Sequence, residues 1–400
     1  MDTPLIIGIK QYFKKMMKQY DFNLDGIIDR AELATVLNFR EVELLPESPL
    51  NWESLVHDKK LKIYNPLTNQ WEIIHSFIYG YSNFDNNGGG AWSKYINIPI
   101  ITIPSEYAQY KIVIDSVNVS VYNSQGDLKT QANIASDFWN NVKSDSSDIR
   151  VFDQAKEQLY FWIEEWDYSS KRAVIWVNLT AGSSELNIAY GNPSALRSSY
   201  ENGEQVFEFF DDFEGDSIDT TKWGGNIASF SIADSVIRCS ESAKWIYTKT
   251  FQINDGVVEA KVKIDTGTRG SLHVRSNQVD TYDYTNVNSY NVNYRYPNGD
   301  VRSRKWVNGS EIILNIQSYS HDTEWHIARL KLLGSQITFE YERIDGTNKY
   351  SYTVTDTALT NGYIGLSTDL IDSGTVYYDW VKVYKLTDPA DFGTPQILEF

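Results

Sequence analysis

The stretch GVVEAKVKI (256–264) places Val258, Ala260, Val262 and Ile264 on one parity and Glu259, Lys261 and Lys263 on the other. Successive side chains of an extended chain point to opposite faces, so this period of two predicts a strand with one face in a core and one toward water. The reading of Glu259 and Lys261 is accordingly a solvated stripe. Outward from it the same alternation recurs in YINIPIITI (95–103), KIVIDSVNVSVY (111–122), AVIWVNLT (173–180), YNVNYRY (290–296) and VYYDWVKVY (376–384). Turn signals at Pro297-Asn298-Gly299, Asp345-Gly346 and Asn361-Gly362 separate the later runs. Short strands at this spacing, without helical periodicity between them, predict a mainly β chain built of two antiparallel β-sandwiches.

Four hundred residues exceed one average domain, so two or three cores are expected. Acidic residues outnumber basic ones 53 to 36, a formal charge of −17. That balance disfavours nucleic acid and anionic membranes as partners and suits cation binding. Cys239 is the only cysteine, which excludes an intramolecular disulfide and a cysteine-based zinc cluster. The apolar run Leu5 to Ile9 is too short for an export signal, and its lysines follow rather than precede it. No stretch approaches the roughly 18 apolar residues of a membrane span.

Residues 1–42 read as two short helices around an Asp-rich loop. Asp21, Asn23 and Asp25 supply oxygens at alternate positions, Gly26 permits the sharp turn, the Ile27 carbonyl points inward, and Asp29 and Glu32 complete a calcium sphere. Phe13, Met16, Met17 and Tyr20 before the loop, and Leu33, Val36 and Leu37 after it, fall at helical spacing. Phe13 to Leu37 therefore resembles the EF-hand family. The sequence offers no second loop to pair with it, so a structural calcium site is expected rather than a switch. Residues 43–90 form a connecting segment in which KLKIY and QWEII flank a turn at Asn65-Pro66, the pattern of a hairpin.

Beyond the Gly/Asn-rich break FDNNGGG, residues 91–209 carry AWSKYINIPI, SSDIRVFD, LYFWIEEWD, AVIWVNLTAG and LNIAYGNPSA, with FEFFDDFEG spanning the next boundary. In order and spacing these resemble the DUF2341 family, a β-sandwich module of prokaryotic surface proteins. Adjacent Glu164 and Glu165 face opposite sides of a strand and do not converge on one substrate atom.

Residues 210–386 resemble a concanavalin A-like jelly roll of the laminin-G or family-16 glycosidase type, through DDFEGDSIDTTKW, DGVVEAKVKI and YYDWVKVYKL. Such glycosidases carry E-x-D-x-x-E on one strand, whereas SYNVNYRYPNGD here has no glutamate, so no catalytic residue is assigned and a binder is expected rather than an enzyme. The expected ligand-binding set is His273 and Arg275 on one strand, Asn291, Asn293 and Arg295 on the next, and Trp306 and Tyr290 for stacking on sugar faces. The resemblance also carries a second calcium to Glu214, the Gly256 carbonyl and Asp379. Residues 387–400 are a C-terminal tail.

These features lead to the expectation of a non-enzymatic, calcium-binding surface or virion (tail or spike) protein. It would attach through a lectin-like domain to a glycan or a host or cell-surface receptor. Residues 1–90 would join other copies of the chain or structural proteins of the same surface. The alternative is a structural subunit of an extracellular filament, sheath or capsid decoration, with a polysaccharide-degrading glycosidase less favoured.

Overall fold

The computed structural model describes residues 91–277, 286–371 and 374–400, together with three short strands before them. The EF-hand-like loop with Asp21, Asn23, Asp25, Ile27, Asp29 and Glu32 lies outside the described residues. In the first compact unit, residues 1–84, β1 (Val56–His57), β2 (Lys60–Asn65) and β3 (Gln70–Ile73) form one antiparallel sheet. Lys62 lies opposite Ile73 and Asn65 opposite Gln70, the pairing expected of the hairpin.

The second unit, residues 85–400, holds two sandwiches. The first uses β4 (Lys94–Thr102), β5 (Ala108–Ile114), β6 (Val119–Tyr122), β7 (Leu128–Ala132), α1 (Ala135–Asn141), β8 (Arg150–Phe152), β9 (Phe161–Asp167), β10 (Arg172–Leu179) and β11 (Glu185–Tyr190). One of its sheets runs β7-β6-β5-β10-β9, and the other joins β4, β11 and β8. Tyr110, Ile112 and Ile114 of β5 meet Ile96, Ile98 and Ile100 of β4 in its core, as period-two alternation requires.

After α2 (Gly203–Val206) the second sandwich begins with β12 (Phe209–Asp211), β13 (Trp223–Gly225), β14 (Ser231–Ala233), β15 (Val236–Cys239), β16 (Lys244–Ile253), β17 (Gly256–Ile264), β18 (Thr268–Ser276) and β19 (Ser289–Arg295). It continues with β20 (Asp300–Val307), β21 (Ser310–Ser318), β22 (His326–Leu333), β23 (Gln336–Arg343), β24 (Tyr350–Thr355), β25 (Gly362–Ile371) and β26 (Val376–Tyr384). One sheet runs β14-β15-β26-β17-β22-β23-β24, with β12 also on β26; the other runs β13-β16-β25-β18-β19-β20-β21. The chain then returns: β27 (Asp391–Phe392) and β28 (Gln396–Glu399) both pair with β4, and Phe392 enters the first core. The tail thus closes a sheet edge of the first sandwich.

The two sandwiches meet through Trp162 and Trp176 on one side, Trp380 and Tyr384 on the other, and Phe207 and Phe210 between them. Into this apolar layer projects Lys382, whose side chain is fully buried. Its Nζ lies 2.6 Å from Glu164 and 3.1 Å from Glu259, and 4.2 Å from the centre of the Trp380 ring. Arg329 donates to Glu259, Glu340 and Glu342, and the Tyr384 hydroxyl donates to Glu259 at 3.0 Å. The structure corrects the solvated stripe: Glu259 is 4% exposed. Burial pushes its carboxyl up, but Arg329 and Lys382 outweigh that and hold it well below the usual carboxylate range. Lys261 instead pairs with Asp379 at 2.6 Å. Replacing Lys382 by alanine strands buried Glu259 and Glu164 without that ammonium and should cost about 3–5 kcal/mol. Urea unfolding followed by tryptophan fluorescence reads this directly, since three interface residues are tryptophans.

At one end of the second core, Tyr319, His321, His326 and Tyr341 pack ring to ring, with His326 stacked on Tyr341 at 4.8 Å and Tyr319 at 5.0 Å from Tyr341. Burial pulls His321 down to about 4 from 6.5, and burial likewise lowers His326. A histidine held neutral in the fold but protonated in the unfolded chain contributes its full stability above about 6.5. That contribution is lost as pH falls through the window toward about 4. Stability should therefore drop by up to about 1.4 kcal/mol per pH unit for each such histidine in that window. The denaturation midpoint at pH 7, 5.5 and 4.5 measures it, and His321→Gln should flatten the slope.

Candidate functional site

The sheet β13-β16-β25-β18-β19-β20-β21 packs one face on the core and turns the other away from it. On β19 alternation sends Tyr290, Val292 and Tyr294 into the core and Ser289, Asn291, Asn293 and Arg295 to the outer face. Register then sets the neighbours. His273, Asn291 and Arg304 share one row across β18, β19 and β20; Ser271, Asn293 and Arg302 share the next; Arg269, Arg295 and Asp300 share a third.

Arg304 organises the floor. Its Nε donates to Asn291 Oδ1 at 2.8 Å, Nη2 to Ser271 Oγ at 2.9 Å and to Asp369 Oδ2 at 2.8 Å, and Nη1 to Glu311 at 3.1 Å. Asn293 Nδ2 donates to the same Asp369 oxygen at 3.0 Å and to the Gly270 carbonyl at 2.9 Å. His273 sits between two hydroxyls, 3.1 Å from Ser289 Oγ and 2.9 Å from Ser367 Oγ, with the Trp245 ring edge-on at 4.2 Å. Burial, aided by the charge of Arg304, holds His273 well below the ordinary histidine value, so it is neutral here. Gly365 makes room for the indole: a Cβ there would lie 2.6 Å from the Trp245 ring.

The face differs from an open groove. Ser271, His273, Asn291 and Asn293 are 0% exposed, and Arg304 and Trp306 nearly as buried. Two amide atoms of this floor, Asn291 Nδ2 and Asn293 Oδ1, have no hydrogen-bond partner. The reachable groups lie at the margin: Arg269 and Arg302 are half-buried and Glu311 is exposed.

Of the expected ligand-binding set, the structure gathers His273, Asn291, Asn293, Arg295 and Trp306 on this face. It separates two. Tyr290 faces the core because the strand already begins at Ser289, and its hydroxyl donates to Asp356 at 2.5 Å. Arg275 adopts φ +47° where β18 loses register with β25, which swings the guanidinium off the face to the carbonyls of Asn254, Leu359 and Gly334. The floor also holds Ser271, Arg304, Ser367 and Asp369, which the sequence reading missed. The alternation of Arg302, Arg304 and Trp306 in VRSRKWV was the available signal for the central arginine.

The trio expected for a second calcium does not assemble. Val257 lies opposite Tyr384 and Lys261 opposite Trp380, so Gly256 sits at one end of the β17–β26 ladder and Asp379 near its middle, at the irregularity beside Lys261, on the order of 15 Å away. Asp379 is engaged by Lys261, and Glu214 accepts a hydrogen bond from Ser235 at 2.9 Å. Among the described residues no group of three or more His, Cys, Asp or Glu side chains is placed to hold a metal ion. The expected alternation fails at Glu164 and Glu165, because β9 bulges there: Glu165 lies opposite Val174 and Ile163 opposite Ile175, which leaves Glu164 unopposed and both carboxylates on the junction face. They are separated by their partners instead, Glu165 pairing with Arg172 near solvent and Glu164 with Lys382.

Arg304→Ala should cost about 3 kcal/mol in unfolding free energy, because Asp369 and Asn291 lose their buried partner. Arg304→Lys should recover only part of it, since one ammonium cannot replace a planar fork that reaches four residues. Chemical denaturation of the two variants beside the parent measures both.

Residues 145–226 match the family described as a domain of unknown function (DUF2341). No curated protein matches the chain. Among solved structures, the chain is similar to the carbohydrate-binding module CBM66 from Bacillus subtilis, at 14% identity over 45% of this chain and 96% of that one, with a TM-score of 0.31. It is similar to a beta-1,3-1,4-glucanase (lichenase) derived from a mouse hindgut metagenome, at 16% identity over 45% and 99%, with a TM-score of 0.34. It is also similar to the catalytic domain of an endo-1,3-beta-glucanase (laminarinase) from Thermotoga petrophila, at 12% identity over 46% and 98%, with a TM-score of 0.35.

Proposed function

We propose that the chain is a non-enzymatic attachment protein whose second sandwich binds carbohydrate on the outer face of the β18–β19–β20 sheet. The observation that carries this reading is the pair of buried amide atoms, Asn291 Nδ2 and Asn293 Oδ1, left without partners beside a fixed Arg304–Asp369 pair. A buried polar group without a partner costs about 1–3 kcal/mol. One free donor and one free acceptor two residues apart on a strand suit hydroxyl groups, which both give and accept hydrogen bonds. The absence of catalysis is part of the proposal: Asp369 and Glu311 are both committed to Arg304, whereas glycoside hydrolysis needs one carboxyl free as acid and another as base or nucleophile. Display on a cell or virion surface, and a calcium ion in the loop Asp21 to Glu32, complete the proposal from sequence alone.

A second reading, a packing subunit of an extracellular or virion assembly, draws on a different observation. His273, Asn291 and Asn293 are fully buried, as suits a face that packs rather than one that binds. A broad glycan array with the full chain separates the two. Binding that falls at least tenfold in Asn291→Ala, with the fold verified by circular dichroism, is the expected result. No binding anywhere on the array, together with calcium-dependent polymerisation in sedimentation, would replace the first reading with the second.

A further inference from the structure

One corner of the same face is built of arginine. Arg269 of β18 lies directly opposite Arg295 of β19, and Arg302 of β20 follows one row on, opposite Asn293. Like charges facing each other across a ladder are destabilising, so the arrangement needs an anion to offset it. Asp300 stands inside the cluster, and Glu311, paired with Arg304, also acts on Arg302. Asp300 lies 3.7 Å from Arg295 Nη1 and 3.2 Å from Arg302 Nη2. Burial pushes Asp300 up from the ordinary value, so the neutralising group is itself strained toward the uncharged form. Counted with Arg304, four guanidiniums face three carboxylates, Asp300, Glu311 and Asp369, which leaves one positive charge in excess on a chain whose total is −17.

The donors are also incompletely used. Arg269 Nε, Arg295 Nη1 and Arg302 Nε are buried atoms without hydrogen-bond partners. Arg295 keeps one bond through Nη2, to Asn298 at 3.0 Å. Arg304, by contrast, is saturated by Asn291, Ser271, Asp369 and Glu311. Arg269 and Arg302 are half-buried, so their outer faces remain reachable. A guanidinium presents parallel N–H donors in a plane that matches a carboxylate or a sulfate, which an ordinary sugar hydroxyl does not exploit.

Resting on the carbohydrate-binding reading, we infer that the ligand is an acidic glycan, a polymer bearing carboxylate or sulfate groups. One acidic substituent is seated at Arg269, Arg295 and Arg302, and the adjoining sugar lies toward Asn293. The register supplies this order, because Arg302 and Asn293 are cross-strand partners.

The test uses the full chain and four probes: polygalacturonate, the same polymer after reduction of its carboxyl groups, chondroitin sulfate, and a neutral mixed-linkage β-glucan. Affinity electrophoresis or calorimetry at 50 and 500 mM salt reads each one. The inference expects at least tenfold tighter binding of polygalacturonate or chondroitin sulfate than of the two neutral polymers. It also expects at least a tenfold loss in high salt, and a similar loss in Arg302→Gln and Arg269→Gln with unchanged melting. Agreement of the two acidic probes assigns the site to charge in general, a preference for polygalacturonate assigns it to carboxylate, and a preference for chondroitin sulfate, which bears both groups, shows that sulfate adds to the binding. Equal binding of the neutral polymers, insensitive to salt and to both substitutions, overturns the acidic ligand and leaves carbohydrate binding intact. Binding of none of the four, with an empty broad array, overturns both.

Discussion

A fully buried ammonium fixes the arrangement of the two sandwiches. Lys382 has no water to solvate it, so its charge has to be met inside the protein, by Glu164 from the first sandwich and Glu259 from the second. The four aromatic rings around its Nζ exclude solvent and add attraction from their faces. Neither sandwich satisfies this charge fully by itself. Electrostatics and apolar burial therefore act on the same joint, and the ion cluster fixes an orientation that aromatic contact alone would leave loose.

That joint also covers one face of the second sandwich. Glu259, Arg329 and Lys382 belong to β17, β22 and β26, so this sheet faces its own core on one side and the first sandwich across its other. The outer face of the opposite sheet, the one carrying Asn291, Asn293 and Arg304, is not covered by that joint. The returning tail acts similarly on the first sandwich, since β27 and β28 cover the side of β4 that β11 leaves open.

Much of this was legible in period-two alternation, because burial of one strand face is a local property of sequence. AVIWVNL and VYYDWVKVY became β10 and β26, while the run KIVIDSVNVSVY divides at a turn over residues 115–118 into β5 and β6. The failures have physical causes of their own. The Glu259 and Lys261 stripe looked solvated because a polar face in contact with water and a polar face in an ion cluster have the same local composition. The partners that distinguish them, Arg329 and Lys382, come from distant strands. Arg275 was misplaced by a single positive φ, and Tyr290 by one residue of strand start. Tight-turn conformations and strand ends depend on neighbouring strands, which the sequence run itself does not contain.

The outer face follows the same logic one level down. His273, Asn291 and Asn293 were readable as a polar set from their alternation, but Arg304 and Asp369 join it only through the order β25-β18-β19-β20. Once joined, Arg304 is spent on satisfying four neighbours, and the floor becomes a rigid, mostly self-satisfied support. The unsatisfied capacity is displaced to two amide atoms and to the arginine corner beside them. A surface whose charges all paired internally would have no electrostatic preference for a partner. On the proposed reading, the arginine corner of Arg269, Arg295 and Arg302 around Asp300 is what would give the face its preference for an acidic ligand.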